Sequence, residues 1–486
     1  MNRFLSYRSV SQLQDLAKKP FDLRGGLTAE RVKSYAMEGG GFRLIYAAER
    51  VDERVLAALW ELAREAGALE QMRAMQRGDK VNLGEGRAAL HTAMRDPGRQ
   101  DAGRELGKLK KFIDGEGKRF EAVVQVGIGG SDLGPQALYL ALEHRAGRRA
   151  HFVSNVDPDD ANRVLQGLDL AKTLVVVVSK SGTTLETRTN EQFLRDRFQK
   201  GGLDPKRHFV AVTGEGSPMD DRGRYLESFY IWDFVGGRYS ATSMVGGVML
   251  AMTVGFDVWM EVLAGAHAMD RHVLEEKNVP LLAALLGIWN RNFLGIPSLA
   301  VIPYSQALVR FTAHLQQLDM ESNGKHVDRQ GKRCSFATGP LVWGEVGTNG
   351  QHSFYQWIHQ GTDVCALEMI GFQESQMGCD VAVEGTTSQQ KLQANLVAQV
   401  IALGEGQGVD FEGNRPSSVL WARQLTPRTL GALLAYYEHK VVFQGFIWDI
   451  NSFDQAGVQL GKTLATRILD AMQGKGKFEV AENYLK

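Results

Sequence analysis

From Glu121 onward, short runs of β-branched and apolar residues alternate with longer stretches whose apolar positions recur at helical spacing. EAVVQV, HFVSNV, TLVVVVS, HFVAVTG and FYIWDF are separated by GPQALYLALEH, ANRVLQGL and LETRTNEQFLRDRF. Runs that are apolar on both faces fit buried strands, and strand–helix alternation predicts a mainly parallel sheet between two helical layers. A long helical stretch is expected over about 243–292. SLAVIPYS, GPLVWGEV and TDVCALEMIGF then resume the strand pattern, between QALVRFTAHLQQLDM, SFYQWIHQ and TTSQQKLQANLVAQVIAL. Two α/β units of one architecture are therefore expected, related by pattern and not by any direct sequence repeat. The first hundred residues read as helical, as in RVDERVLAALWELAREAGALEQMRAM. The expected organisation is an N-terminal helical segment over 1–115 packed on the larger domain, a first α/β domain over 116–258 and a second over 259–455. A C-terminal helix and tail fill 456–486. Linkers are expected around 95–104 and in GEGQGVDFEGNRPS from Gly404.

Composition narrows the function classes. A chain of 486 residues exceeds the ~250 to 300 at which single cores stop growing. Lys+Arg and Asp+Glu both number 56, so the whole molecule offers no basic footprint for nucleic acid or an anionic membrane, and any anion site must be local. Cys334, Cys365 and Cys379 form no CxxC pair, which argues against a disulfide framework or a structural zinc and fits a reducing cytoplasm. The N-terminal MNRFLSYRSVSQLQDLAKK has no apolar core of a signal peptide, and no run approaches the ~20 apolar residues of a membrane span. The expectation is a cytoplasmic protein without membrane or nucleic-acid partners. Glycine is abundant, at 54 residues, and many fall in short loops where backbone can approach a ligand.

Six stretches carry candidate chemistry. SKSGTT, at 179–184, stands where the apolar run TLVVVVS hands over to a helical pattern. A helix start offers unpaired N–H groups and a positive dipole end, and Ser179, Lys180, Ser181, Thr183 and Thr184 add donors. No carboxylate follows until Glu186, so the stretch suits a phosphate monoester; an ordinary capped turn uses the same residue types. VGIGGSDLGP, at 126–135, resembles nucleotide loops without matching them: it lacks the Walker GK pair, and Asp132 stands where the dinucleotide fingerprint needs its third glycine. FVGGRYSATSMVGG places Arg238 after two glycines, where its fixed donors can hold an anionic oxygen. HLQQLDMESNGK carries Gln317 and Glu321 on one expected helical face, and a carboxylate at a helix end can serve as general base. WGEVGTNGQHSFYQ offers His352, a residue type that exchanges protons near neutrality, and DINSFDQAGVQLGKTLA offers Gln455 and Lys462, expected on one helical face.

Taken together at full length, SKSGTTLET, VGGRYSATS, HLQQLDMESNGK, GTNGQHSFYQ and WDINSFDQAGVQLGK resemble the signature regions of the glucose-6-phosphate isomerase (phosphoglucose isomerase) family, in that family's order. VNLGEGRAALHTAMR is similar to a sixth, and the resemblance spans roughly 80–470. It implies two sugar-isomerase (SIS) three-layer αβα units with mainly parallel sheets. It implies reversible interconversion of D-glucose 6-phosphate and D-fructose 6-phosphate through a cis-enediol(ate), in glycolysis and gluconeogenesis, with no metal and no organic cofactor. By the same resemblance Glu321 is the base, Arg238 steadies the enediolate, His352 and Lys462 open the ring, and Glu186 orients the histidine. Ser179, Lys180, Ser181 and Thr184 hold the phosphate; Gly130, Ser131, Gln317 and Gln455 line the sugar pocket. A homodimer is implied, with His352 reaching the site of the neighbouring subunit.

Members of the family often carry Thr-Phe where this chain has Ser181 and Gly182, and Pro where it has Val346; neither change removes a proposed catalytic group. Glu345 is assigned a structural role. A non-catalytic SIS sensor of sugar phosphates would need no base, ring-opening pair and arginine together, and all are present. Glutamine-dependent amino-sugar synthesis would need an N-terminal cysteine, and the chain begins MNRF. A neighbouring isomerase acting on mannose phosphate differs only in recognition at C2.

Overall fold

The computed structural model describes residues 2–485, of which those up to Ser452 form one compact unit and those from Phe453 a second. In the first unit, a short antiparallel hairpin, β1 (Ala36–Gly39) and β2 (Phe42–Ile45), comes before two groups of strands. The first group is β3 (Ala122–Val126), β4 (Arg149–Val153), β5 (Thr173–Ser179), β6 (Phe209–Thr213) and β7 (Ser228–Tyr230). They form one parallel sheet in the order β4-β3-β5-β6-β7. Every residue of β5 is buried, as its unbroken TLVVVVS run requires. The helix Met244–Thr253 crosses one face of the sheet, and the helices Pro158–Leu165 and Leu185–Lys200 pack on strands from the other. Val124, Val175, Val177, Leu194, Phe198 and Phe209 make the core between sheet and helix.

The second group is β8 (Ser298–Pro303), β9 (Leu341–Trp343), β10 (Ala366–Phe372) and β13 (Ser417–Ala422), with a separate small hairpin of β11 (Ala382–Val383) and β12 (Thr386–Thr387). Its sheet runs β1-β2-β13-β10-β8-β9; β13, β10, β8 and β9 are mutually parallel, and β2 adds antiparallel to β13. The mixed α/β architecture with mainly parallel sheets is the expected one. Two details depart from it. The expected all-helical N-terminal segment contains β1 and β2, which close the edge of the second sheet. The glycine-rich stretch after 404, expected as a linker, feeds β13 into the centre of that sheet.

The intervening stretch 243–292 forms the helices Met244–Thr253, Phe256–His272 and Val279–Ile288, as the pattern indicated. The latter two pack on Pro427–Trp448, a 22-residue helix buried over nearly its whole length. Its crossing with Phe256–His272 is glycine to backbone: a Cβ on Gly265 would overlap the Arg428 carbonyl, and one on Gly431 would overlap the Val262 carbonyl. The buried helix also carries Lys440, paired with Glu368 of β10. Near that pair lies Glu49, whose carboxyl accepts from Asn290 Nδ2 at 3.0 Å and is pushed up to about 8, chiefly by burial.

The second unit holds a 3-10 turn, Ala456–Val458, and the helices Gln459–Met472 and Glu479–Tyr484. Lys462 is an exposed residue of the longer helix. Gln455 precedes the turn in non-helical geometry (φ -150°, ψ 43°), so the expected placement of Gln455 and Lys462 on one helical face does not hold. No helix among the described residues is long and apolar enough to cross a membrane.

Two outcomes follow from this packing. Gly431→Ala forces a methyl group into backbone that has nowhere to move, and is expected to cost about 1–3 kcal/mol of stability, read from denaturant unfolding. Glu49 holds its proton more tightly folded than unfolded, so its contribution to stability is greatest below the unfolded carboxyl value of 4.5 and declines as pH rises toward about 8. Glu49→Gln keeps an acceptor for Asn290 and removes this ionisation. The melting temperature of the native chain should therefore fall relative to the variant between about pH 5 and pH 8; a constant gap would contradict the assignment.

Candidate functional site

The crossover from β3 passes outward to β4, and the chain returns to place β5 on the other side of β3. At such a reversal the loops leaving the carboxyl ends of the two central strands diverge and leave a crevice. Both loops singled out from sequence lie there. After β3 the chain turns through the 3-10 segment Gly129–Ser131 into the helix Leu133–Leu142. Gly130 permits a close approach: a Cβ there would overlap the Gly237 carbonyl and stand 2.8 Å from the Arg238 nitrogen. One on Gly129, whose φ is +59°, would stand 3.2 Å from Gln317 Nε2. Ser240 Oγ donates to the Gly130 carbonyl at 3.3 Å. Gly130, Gln317 and Arg238 are thus neighbours, although nearly two hundred residues separate the first from Gln317.

After β5, Gly182 takes φ +66° and its N–H donates to the Ser179 carbonyl, folding 179–182 into a turn. Ser179 Oγ donates to Thr184 Oγ1 at 3.1 Å, and Thr183 donates from both its N–H and its hydroxyl to Ser181 Oγ. No side chain caps the helix Leu185–Lys200 that begins here, so the N–H groups of its first turn stay available to an anion. Lys180 behaves otherwise than its place in the motif suggests. Its ammonium donates to the carbonyls of Asp233 at 2.6 Å and Val235 at 3.0 Å, and burial lowers its pKa. That ammonium ties the anion loop to the segment leading into Arg238.

The helix Phe311–Gln316 widens into a π-turn over Gln317–Glu321, a local change of pitch that re-aims the side chains at a helix end. Glu321 Oε2 comes 3.7 Å from Arg238 Nη1; the arginine side chain is 1% exposed and the glutamate 22%, so the carboxylate faces an opening and the guanidinium backs it. Arg238 Nε donates to Ser322 Oγ at 2.6 Å, and Nη2 to the Ser452 carbonyl at 2.6 Å. Gln317 Oε1 is buried with no hydrogen-bonding partner among the described residues, an acceptor suited to a ligand hydroxyl. A carboxylate facing a cation, with amide and main-chain groups alongside, can remove a proton from carbon while the cation offsets the charge that develops on oxygen.

In the first unit the structure therefore brings together Gly130, Gln317, Arg238 and Glu321, with Ser131 at the end of the same glycine-rich turn. Glu186 is half-buried in the first turn of Leu185–Lys200. His352 is exposed at the end of the 3-10 turn Asn349–His352, and among the described residues no hydrogen bond joins it to Glu186. Glu345 accepts from the N–H of Val346 at 2.8 Å. Gln455 and Lys462 belong to the second unit. Sequence reasoning passed over Tyr239, Ser322 and Ser452, which touch the arginine or its partners. Tyr239 and Ser322 each follow directly on a residue that it did select, and that adjacency was the available signal.

The family model of phosphoglucose isomerase matches residues 45–483. A glucose-6-phosphate isomerase of Protochlamydia amoebophila is 53% identical, over all of this chain and 97% of its own length, and one of Chlamydia abortus is 54% identical over 98% and 95%. The crystal structure of a glucose-6-phosphate isomerase from Chlamydia trachomatis superposes with a TM-score of 0.96 at 50% identity, covering 99% of this chain and 98% of that one. A hypothetical protein from Thermus thermophilus shares the fold at a TM-score of 0.70 and 29% identity, covering 87% of this chain. On sequence and fold alike, the chain belongs to the phosphoglucose isomerase family.

Proposed function

We infer that the chain is an aldose–ketose isomerase that interconverts D-glucose 6-phosphate and D-fructose 6-phosphate. The observation in the structure that carries this reading is the Glu321 carboxylate at an opening, 3.7 Å from the buried Arg238 guanidinium. Moving a carbonyl between C1 and C2 needs one base. Glu321 takes the proton from C2 of the open aldose and returns it to C1, while the hydroxyl proton passes between O2 and O1. Between the two transfers the enediolate bears negative charge on oxygen, and the buried Arg238 guanidinium offsets it.

The substrate is mostly a closed ring, so a proton must first move from the C1 hydroxyl to the ring oxygen. We assign that step to His352 with Lys462, and to Glu186 the task of orienting the imidazole. The hydroxyls of Ser179, Ser181 and Thr184 and the N–H groups of the first helical turn hold the phosphate. Because the Lys180 ammonium is engaged by two carbonyls, we assign Lys180 to that set through its main-chain N–H. Gly130, Ser131, Gln317 and Gln455 line the sugar. We propose a homodimer in which each subunit's exposed His352 serves the other's site. The two sheets correspond to two SIS-type domains, taken as 116–258 and 259–455.

The test is to supply fructose 6-phosphate with EDTA present and to follow glucose 6-phosphate through an NADP-linked dehydrogenase. Steady turnover is expected, and Glu321→Gln should lower kcat by about 10²- to 10⁴-fold. No turnover by a folded native chain would overturn the isomerase reading; full turnover by the variant would overturn the choice of base.

A further inference from the structure

Arg238 is held in a closed ring of hydrogen bonds that the chemistry above does not itself require. Its Nε donates to Ser322 Oγ at 2.6 Å and its Nη2 to the Ser452 carbonyl at 2.6 Å. The Tyr239 hydroxyl lies 2.8 Å from that Ser322 oxygen and donates to that Ser452 carbonyl at 3.4 Å. One phenol thus touches both of these acceptors, on the edge of the guanidinium away from Nη1, the nitrogen that faces Glu321. We propose that Ser322 and Tyr239 are positioning residues of this isomerase, two buried hydroxyls that fix the Arg238 guanidinium against the reacting carbons. The inference deepens the isomerase reading and rests on it.

Three further features fit this role. Ser322 is fully buried and follows Glu321 directly in the chain, so its hydroxyl registers the arginine on the same turn that carries the base. The Tyr239 ring cannot swing: it stacks on His91, with centroids 4.7 Å apart and planes at 24°. Burial holds the His91 pKa well below the usual value, which favours an uncharged ring under Tyr239. Beneath it, Glu438 lies 4.0 Å from His91 Nε2 and pairs with Arg95, which also binds Asp270 at 3.0 Å and Thr242 at 2.8 Å. Ser452 is fixed in turn, its hydroxyl donating to Asn323 Oδ1 at 2.7 Å. An arginine has several rotatable bonds, and electrostatic help in the transition state is strongest when the charge needs no reorganisation to meet it.

The experiment measures kcat and KM for fructose 6-phosphate on the full chain, for Ser322→Ala and Tyr239→Phe, each alone and combined with Arg238→Lys. Tyr239→Phe removes one oxygen and keeps the stacked ring, so it carries the question even if Ser322→Ala folds poorly. Removing either hydroxyl should lower kcat by about 10- to 100-fold with KM nearly unchanged, as expected when a reacting group is displaced by a fraction of an ångström. In the Arg238→Lys background the same substitutions should change kcat less than about twofold, because no guanidinium remains to be positioned. Near-native kcat in both single variants, or equal losses in both backgrounds, would overturn the positioning role and leave the isomerase reading intact. Full turnover by Arg238→Lys alone would overturn the arginine assignment and this inference with it.

Discussion

A guanidinium 1% exposed in the middle of a protein is the constraint around which this site is organised. Such a charge cannot be neutralised by losing its proton, so it is tolerated only where fixed acceptors and an opposite charge replace water. The acceptors come from three places in the chain: Ser322 beside the π-turn, Ser452 at the end of the first unit, and Glu321 at the opening. Each has its own support. The segment entering Arg238 is tethered by Lys180, and the turn around Asn323 is tethered to the Val441 carbonyl of the long buried helix by a 2.9 Å bond. Polar contacts below continue through the Arg95–Asp270 ion pair to His439, which hydrogen-bonds Asp270 Oδ1 at 2.7 Å, all nearly without exposure. A polar layer of this kind is costly to bury, and it makes sense where a charge must stay ready at one address.

What sequence alone disclosed follows from how local each signal is. The β5 run and its following helix start are contiguous, so TLVVVVSKSGTT announced both a buried strand and an anion-binding turn. The same holds for the glycine-rich exit of β3 and for most strand positions. The strands β1, β2 and β13 escaped because their partners are distant: β2 joins the second sheet by pairing with residues near 420, and β13 follows a glycine-rich stretch that reads as a linker. The helix Pro427–Trp448 gave no amphipathic stripe because it is covered on every side, and periodicity has nothing to report when no face meets water.

The candidate residues divide in the same way. Arg238 and Glu321 were each visible in short motifs, but that they face each other is a property of the fold. A regular helix would set Gln317 and Glu321 on one face; the π-turn changes their relation, and the motif HLQQLDMESNGK does not announce that change of pitch. Tyr239 and Ser322, passed over in the sequence, are chain neighbours of two candidates and hydrogen-bond each other beside Arg238. The expected placement of Gln455 with Lys462 on one face failed because periodicity was extended back past the start of the helix.

Lys180 shows how the parts combine. From sequence it is one more cation for an anion; in the structure its ammonium spans from the β5 loop to the carbonyls of Asp233 and Val235, three to five residues ahead of Arg238. The loop suited to the substrate's phosphate and the segment carrying the arginine are therefore one mechanical piece. Gly130 adds the second contact, with backbone against backbone at Gly237 and Arg238. Binding energy gathered at a non-reacting phosphate raises a rate only if it is expressed at the reacting carbons. A charge registered against both the proposed phosphate loop and the proposed base meets that requirement by geometry: the two are joined through main chain and buried hydrogen bonds, and leave the guanidinium little freedom to be elsewhere.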